Sequence, residues 1–142
     1  MAQFMVIVKG DDPDGERTPT EEMFTRMGAY NQTLLDAGVM KDGNGLLPSS
    51  VAHRIEFQGA GDTTIVDGPF AESKELVSGY WILECDTIED AVTWARKAPF
   101  DAGQTLEVRK VAGPEDFGDA YTDEVAAHED RLREQLAGQN AD

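Results

Sequence analysis

Short apolar and alternating segments predict five β-strands in this chain. Residues 4–8 form a continuous apolar run, which is typical of a strand covered on both faces. Most of the other segments alternate between apolar and polar side chains, as a strand with one buried face does. The predicted strands span residues 4–8, 51–57, 63–66, 77–85 and 104–111, and a glycine-rich turn at residues 59–62 joins the second to the third.

Apolar residues at helical spacing predict a first helix after the first strand. Thr18, Pro19 and Glu21 form its start signal, because a capping box with a proline in the first turn is typical of a helix N-terminus. Gly38 suits the position that terminates a helix. The apolar stripe consists of Met23, Met27, Tyr30, Leu34 and Ala37.

Caps and apolar stripes predict two further helices. Asp86 or Thr87 caps the second helix and Pro99 ends it, whereas Thr122 caps a final, highly charged helix. The stripe of the final helix is thin, so this helix either packs on the domain or its partner, or is a mobile appendage. The stripes are Ile88, Ala91, Val92 and Ala95 in the second helix, and Val125, Leu132 and Leu136 in the last.

The element order β-α-β-β-β-α-β predicts an α+β fold with a ferredoxin-like, split βαβ antiparallel sheet and both helices on one face. The other face carries too many aromatic and aliphatic side chains to remain in water, so a second copy of the chain is its natural cover. The sequence therefore predicts a homodimer. The domain spans residues 1–112, and residues 113–142 form an acidic C-terminal extension with a helix.

Charge and cysteine content narrow the classes of partner and the location. The chain has 142 residues, 40% of them hydrophobic, and a formal net charge of −16 at pH 7. This charge repels phosphate backbones and anionic lipids, so we expect neither nucleic acid nor membrane as a partner. Cys85 is the single cysteine, which excludes an intramolecular disulfide. Without a signal-peptide pattern or an apolar stretch of ~20 residues, we expect a cytoplasmic protein.

Residues 67–75, Asp-Gly-Pro-Phe-Ala-Glu-Ser-Lys-Glu, interrupt the pattern between two predicted strands. Gly68 and Pro69 break regular structure, and Phe70 can anchor the loop to the core. One interpretation is a rigid turn in which Asp67 accepts hydrogen bonds from nearby backbone N–H groups. The other is a loop that presents three acids and Lys74 beside the end of the sheet, where a ligand binds.

These nine residues resemble the signature of the DGPF proteins in the YciI-related group. The context is similar too, with Leu47-Pro48 before one strand, Gly79-Tyr80 opening another and Val108-Arg109 in the last. The resemblance covers about residues 3–112. It implies a ferredoxin-like fold that dimerises into an α+β barrel with a cleft in each subunit.

The resemblance also bears on function. Some members occur with, or fused to, extracytoplasmic-function sigma factors, and distant relatives are muconolactone-isomerase-like or dehydrochlorinating enzymes. Relatives in the YciI branch carry a suspected acid–base histidine on the first helix. Its position falls near Met27 here, with no histidine close by, so the resemblance implies no such catalysis in this chain.

The remaining chemistry-bearing residues form no metal or cofactor motif. His53 shares a strand face with apolar residues and His128 lies in the charged tail, so the two histidines give no zinc pattern. Residues 43–45 and 59–61 are glycine-rich but too short for a dinucleotide fingerprint. We therefore predict neither a metal nor a cofactor.

Charged and hydroxyl side chains line the strand faces opposite the most apolar ones. They can form an ion-pair ladder at a dimer interface. Alternatively they belong to a cleft in which Arg54 binds an anionic group while Asp67 acts as a base. The residues concerned are Arg54, Glu56, Tyr80, Glu84, Glu107 and Arg109.

Two functions remain open. The first is a cofactor-free lyase or isomerase acting on a small polar or aromatic acid, with Asp67 as general acid or base and Arg54 as the anion anchor. Phe70, Lys74 and Tyr80 would line its cleft. The second is a non-catalytic binding or regulatory module that senses a metabolite or contacts a sigma factor. An enzyme predicts Asp67 in a closed pocket, whereas a module predicts Asp67 bonded within its loop and an exposed apolar patch.

Overall fold

The computed structural model describes residues 1–10, 18–71 and 75–141, so Lys74 of the predicted cleft lies outside the described residues. The chain forms two compact units, residues 1–110 and 111–142, which are described separately. The described elements of the first unit are β1 (Ala2–Lys9), α1 (Glu21–Asp36), β2 (Met40–Gly45), β3 (His53–Gly59), β4 (Asp62–Asp67), β5 (Val77–Cys85), α2 (Ile88–Ala95) and β6 (Leu106–Lys110).

Four strands form the central sheet, in the order β2-β5-β1-β6. Strand β1 pairs antiparallel with both β5 and β6, and β5 pairs antiparallel with β2. Because α1 follows β1 and α2 follows β5, this is the split βαβ arrangement of a ferredoxin-like sheet. The predicted α+β fold class is confirmed.

Strand β2 is absent from the predicted element order. It pairs with β5 through Gly43 opposite Trp81 and Gly45 opposite Gly79. Its polar, glycine-rich sequence has low strand propensity, but pairing with β5 outweighs that local preference. The predicted strand at 51–57 was wrongly assigned to the sheet. It begins at His53 and pairs with β4 in a separate hairpin.

Helix α1 begins two residues later than its predicted start signal places it. Thr20, rather than Thr18, is the cap, and its Oγ1 accepts a hydrogen bond from the Met23 N–H at 3.2 Å. Gly38 has a φ of +73°, which confirms it as the residue that terminates the helix. The buried residues of α1 are Tyr30 and Leu34.

The hydrophobic core lies on one face of the sheet, beneath both helices. Thr87 caps α2 as predicted, and the buried Ala91 and Ala95 let this short helix approach the strands closely. The opposite face carries Met5 and Ile7, which are half-buried in a single chain. The strand residues in the core are Phe4, Val6, Val8, Trp81, Leu83 and Cys85.

Strands β3 and β4 form a two-stranded antiparallel hairpin between β2 and β5 in the chain. Its register places His53 opposite Asp67 and Ile55 opposite Ile65. Because side chains alternate along a strand, these four share one face of the hairpin, and Arg54 emerges on the other. The hairpin therefore presents an apolar face with a histidine and a carboxylate at its base.

The second unit consists of a 3-10 turn at Pro114–Asp116 and helix α3 (Asp123–Asn140). Thr122 caps α3 as predicted, with its Oγ1 3.3 Å from the N–H of Val125. The Tyr121 hydroxyl donates a hydrogen bond to Glu129 at 2.8 Å, which joins the residue before the cap to the helix. No helix in the described part of the chain has the length and apolar character needed to cross a bilayer.

Candidate functional site

A cleft of about 270 Å³ lies between α1 and the strands β2 and β5. Helix α1 contributes one side, and the short side chains of β2 keep the other side open. Phe100, after α2, closes one part of the wall. The described lining residues are Val8, Met27, Asn31, Gly43, Asn44, Gly45, Ser78, Gly79, Tyr80, Trp81 and Phe100.

Trp81 gives the cleft an aromatic wall. Its ring packs edge-on against Tyr30 at 5.5 Å and against Phe100 at 6.2 Å between ring centroids. Gly43 makes this position possible, since a Cβ there would lie 2.8 Å from Cδ1 of the indole. Gly43 is thus required by the aromatic side chain of the neighbouring strand.

Asn31 is the polar residue of α1 in the cleft. Its Oδ1 accepts a hydrogen bond from the indole N–H of Trp81 at 2.8 Å. The indole nitrogen can only donate, so this bond fixes which end of the amide faces the ring. The Nδ2 donor of Asn31 therefore points away from Trp81.

The lining residues that the structure describes carry no charged group. Tyr80 is the titratable one, and its hydroxyl donates to Asp42 Oδ2 at 3.1 Å and accepts from Asn44 Nδ2 at 3.1 Å. The Tyr80 hydroxyl and the Asn44 amide are therefore engaged with each other and with Asp42. The cleft is therefore apolar and aromatic, with neutral hydrogen-bonding groups at its margin.

A second hollow, of about 290 Å³, lies between α2 and β6. Its walls are aliphatic, and Arg96 is their polar member among the described residues. It lacks the aromatic wall and the convergent neutral polar groups of the first cleft, which are typical features of small-molecule sites. The first cleft is therefore the better candidate.

The loop that begins at Asp67 is held against the turn before β3. The Gly68 N–H donates to the carbonyl of Ala52 at 2.9 Å, and the Phe70 N–H donates to Ser49 Oγ at 3.2 Å. A Cβ on Gly68 would collide with the Ser49 carbonyl oxygen, so only glycine fits. These contacts hold residues 67–70 against residues 49–52 and close the base of the hairpin. The two segments together are called the clasp below.

Arg54 and Phe70 form the other side of this clasp. The Arg54 guanidinium lies 3.8 Å from the centroid of the Phe70 ring, within the range of a cation–π contact. Arg54 leaves the hairpin on the face opposite Asp67. The structure therefore brings Arg54 and Phe70 together but does not place Arg54 on the same face as Asp67.

Asp67 meets His53 on the apolar face of the hairpin. Its Oδ1 lies 2.8 Å from His53 Nδ1, and the two side chains are 79% and 64% exposed. The predicted turn, in which Asp67 bonds backbone N–H groups, is replaced by this side-chain pair. Sequence reasoning missed the partnership because it depends on the hairpin register, which the alternation of apolar residues does not reveal.

Of the predicted site residues, Tyr80 lines the cleft, whereas Asp67, Arg54 and Phe70 belong to the clasp. Sequence reasoning identified neither Asn31 nor Trp81 as a residue of the cleft. The sequence does contain a signal for Asn31: this residue follows Met27 by four positions, so the two lie on the same side of α1. The glycines of β2 give a second signal of close approach.

A ferredoxin-like sheet with a cleft beside its first helix defines a small α+β domain of the kind that the DGPF signature implies. Residues 3–113 match the YCII-related domain, of which DGPF is another label. The chain belongs to the YCII-related family, and the predicted family is confirmed.

The chain is also similar to an uncharacterised protein of Rhizobium meliloti (strain 1021). The two are 30% identical over 76 residues, which cover 54% of this chain. The similar part spans 60% of the length of the Rhizobium protein. The likeness supports the family assignment and carries no activity with it.

Proposed function

We propose that this protein binds a small molecule in the cleft between α1 and the β2–β5 edge of the sheet. The observation that carries the proposal is the aromatic wall of Trp81 beside the oriented amide of Asn31. An apolar cavity with a few convergent polar groups is the usual form of a small-molecule site. Its volume of about 270 Å³ suits a ligand of one or two rings.

A cleft-filling substitution tests this proposal. A Cβ on Gly45 meets no atom within 4 Å, and Gly45 pairs with Gly79 on the cleft side of β2. Gly45→Phe should therefore fill the cleft without disturbing the sheet. In a thermal-shift screen of small aromatic acids, phenols and ketones, we expect ligands to raise the melting temperature of the parent protein but not of this variant.

The matched control is Gly45→Ala, which adds a Cβ in the same open space but leaves the cleft accessible. It should retain ligand-induced stabilisation. Equal stabilisation of the parent and Gly45→Phe proteins would place binding elsewhere. A complete lack of stabilisation by any compound would count against the binding function.

The His53–Asp67 pair favours a second candidate function, a cofactor-free acid–base enzyme of the lyase or isomerase type. A carboxylate at Nδ1 orients an imidazole and leaves Nε2 available as a base. Ile55 and Ile65 on the same hairpin face provide an apolar setting once that face is covered. In this arrangement Asp67 acts through His53 rather than alone.

Proton abstraction can be detected without knowing the natural substrate. The protein is incubated in deuterium oxide with enolisable ketones and carboxylic acids, and deuterium uptake is followed by NMR. The enzyme hypothesis expects uptake that is lost in both His53→Ala and Asp67→Asn, and retained in Gln58→Ala on the same hairpin. Deuterium uptake that survives both His53→Ala and Asp67→Asn would contradict the enzyme hypothesis. A complete lack of uptake would contradict it as well.

We further propose that the protein assembles as a homodimer, with a second copy covering the apolar surfaces of the first unit. Three apolar hairpin residues are largely exposed: Ile55 at 60%, Phe57 at 83% and Ile65 at 66%. The open sheet face adds Met5 and Ile7. Apolar surface of this extent is unusual on a monomer.

Light scattering combined with gel filtration tests the assembly. Phe57→Ser should shift the equilibrium toward monomer, because it removes the phenyl side chain of a hairpin residue that is 83% exposed. Glu56→Gln, whose side chain emerges on the other hairpin face, should leave the mass unchanged. A monomeric parent protein at micromolar concentration would refute the dimer.

A further inference from the structure

We propose that the cleft ligand is an uncharged, flat aromatic carbonyl compound whose oxygen accepts a hydrogen bond from Nδ2 of Asn31. This inference rests on the proposed binding function and names its ligand class. Three observations carry it: the fixed orientation of the Asn31 amide, the neutral lining of the cleft, and the space between α1 and the β2 edge, with Trp81 in its wall.

The amide orientation supplies a donor. Because Asn31 Oδ1 is bound to the indole N–H of Trp81, the free end of the side chain is Nδ2. No described residue accepts a hydrogen bond from Nδ2, and no fully buried side-chain nitrogen or oxygen in the described chain lacks a partner. Nδ2 therefore remains accessible, as a preoriented donor for a ligand acceptor.

The neutral lining argues against a charged ligand, because the described lining residues include neither a cation nor a carboxylate that could pair with one. An anion entering an apolar cleft loses its hydration and needs a cation or several donors in return. Among the described lining residues there is no lysine, arginine or histidine. The chain as a whole carries a formal net charge of −16, which repels anions further. A carbonyl oxygen, by contrast, needs only one donor.

The shape of the cleft favours a planar ring. Trp81 forms one wall, and Gly45, where an added Cβ would meet nothing within 4 Å, leaves the backbone of β2 open at the edge. Met27 of α1 supplies a flexible thioether, which adapts well to aromatic faces. A flat ring can therefore lie between the helix and the sheet edge with its carbonyl directed at Asn31.

The test compares two probes of matched shape, 2-acetylnaphthalene and the anionic 2-naphthoate, on the whole 142-residue chain. Binding is followed by NMR of the Trp81 indole and Asn31 amide signals, with Trp94→Phe and Asn31→Asp used for assignment. We expect the ketone to bind more tightly than the carboxylate and to shift both signals.

Asn31→Asp is the decisive variant, because an oxygen can still accept from Trp81 while the ligand donor is replaced by an acceptor. We expect it to weaken ketone binding at least about tenfold with little change in melting temperature. Gln32→Glu makes the same charge change at the adjacent, exposed position and should bind normally.

Each other outcome overturns a distinct claim. Tighter binding of 2-naphthoate, or unchanged ketone binding by Asn31→Asp, overturns the ligand class while the cleft remains a binding site. Binding of neither probe overturns the ligand class, and the cleft as a site is then decided by the Gly45→Phe screen. A ketone that shifts the Trp81 signal but not the Asn31 signal overturns the assigned hydrogen bond.

Discussion

Nδ1 of His53 and Oδ1 of Asp67 lie 2.8 Å apart across the first residue pair of the hairpin. An ionised carboxylate can only accept, so the proton of the neutral imidazole must be on Nδ1. We expect long-range proton–nitrogen NMR at alkaline pH to show the Nδ1-protonated tautomer for His53, and Asp67→Ala to abolish this preference. His128, whose side chain has no such partner among the described residues, is the internal reference.

Gly68 is predicted to be the least replaceable residue of the clasp. Gly68→Ala would drive a Cβ into the Ser49 carbonyl, and the backbone on both sides is held by hydrogen bonds. We expect a loss of unfolding free energy of about 1–3 kcal/mol or more in urea denaturation. Gly45→Ala, which meets open space, should change stability far less. Equal effects from the two substitutions would contradict the clasp geometry.

The stability of the first unit should fall at high pH because of Tyr30. Burial raises the pKa of Tyr30 from 10.0 to about 12. The folded state therefore holds the phenol proton more tightly than the unfolded chain, whose tyrosines titrate near pH 10. The contribution of the protonated Tyr30 phenol to the free energy of unfolding is complete below pH 10, and it is lost as the pH rises toward 12.

Tyr30→Phe is the matched variant for that pH dependence. It removes the hydrogen bond that the Tyr30 hydroxyl donates to the Trp94 carbonyl at 2.9 Å, which should cost about 1 kcal/mol at neutral pH. Between pH 10 and 12 the variant should lose less stability than the parent protein. Parallel pH profiles of the two proteins would contradict the assignment to Tyr30.

Replacement of Gly28 in helix α1 should stabilise the protein. Gly28 lies in the helix interior, and an added Cβ would meet nothing within 4 Å. Gly28→Ala should raise the unfolding free energy by about 0.5–1 kcal/mol, since alanine loses less backbone entropy on folding. Gly38→Ala makes the same chemical change at a φ of +73° and should destabilise the protein instead.

The fold was largely predictable because its core elements carry strong local signals. The residues of α2 alternate between buried and exposed at helical spacing, and Thr87 caps the helix as its sequence indicates. Strand β5 spans the same residues, Val77–Cys85, that the alternation predicts. In such segments the local preference and the tertiary environment agree.

Two features escaped prediction because they depend on partners distant in sequence. Strand β2 has the composition of a turn and becomes a strand only through its pairing with β5. The cleft was missed for the same reason, since Asn31 and Trp81 are brought together by packing rather than by a motif. The roles predicted for Asp67 and Arg54 stay predictions, although the structure gives each a defined neighbour.

The order of the central sheet leaves β2 and β6 as its outer strands. Each outer strand carries exposed charge, with Lys41 and Asp42 on β2 and Arg109 and Lys110 on β6. Charges on outer strands oppose the strand-by-strand addition that leads to fibres. Copies of this protein at high concentration should therefore resist polymerising through their sheet margins, which leaves the broad faces as the route to ordered assembly.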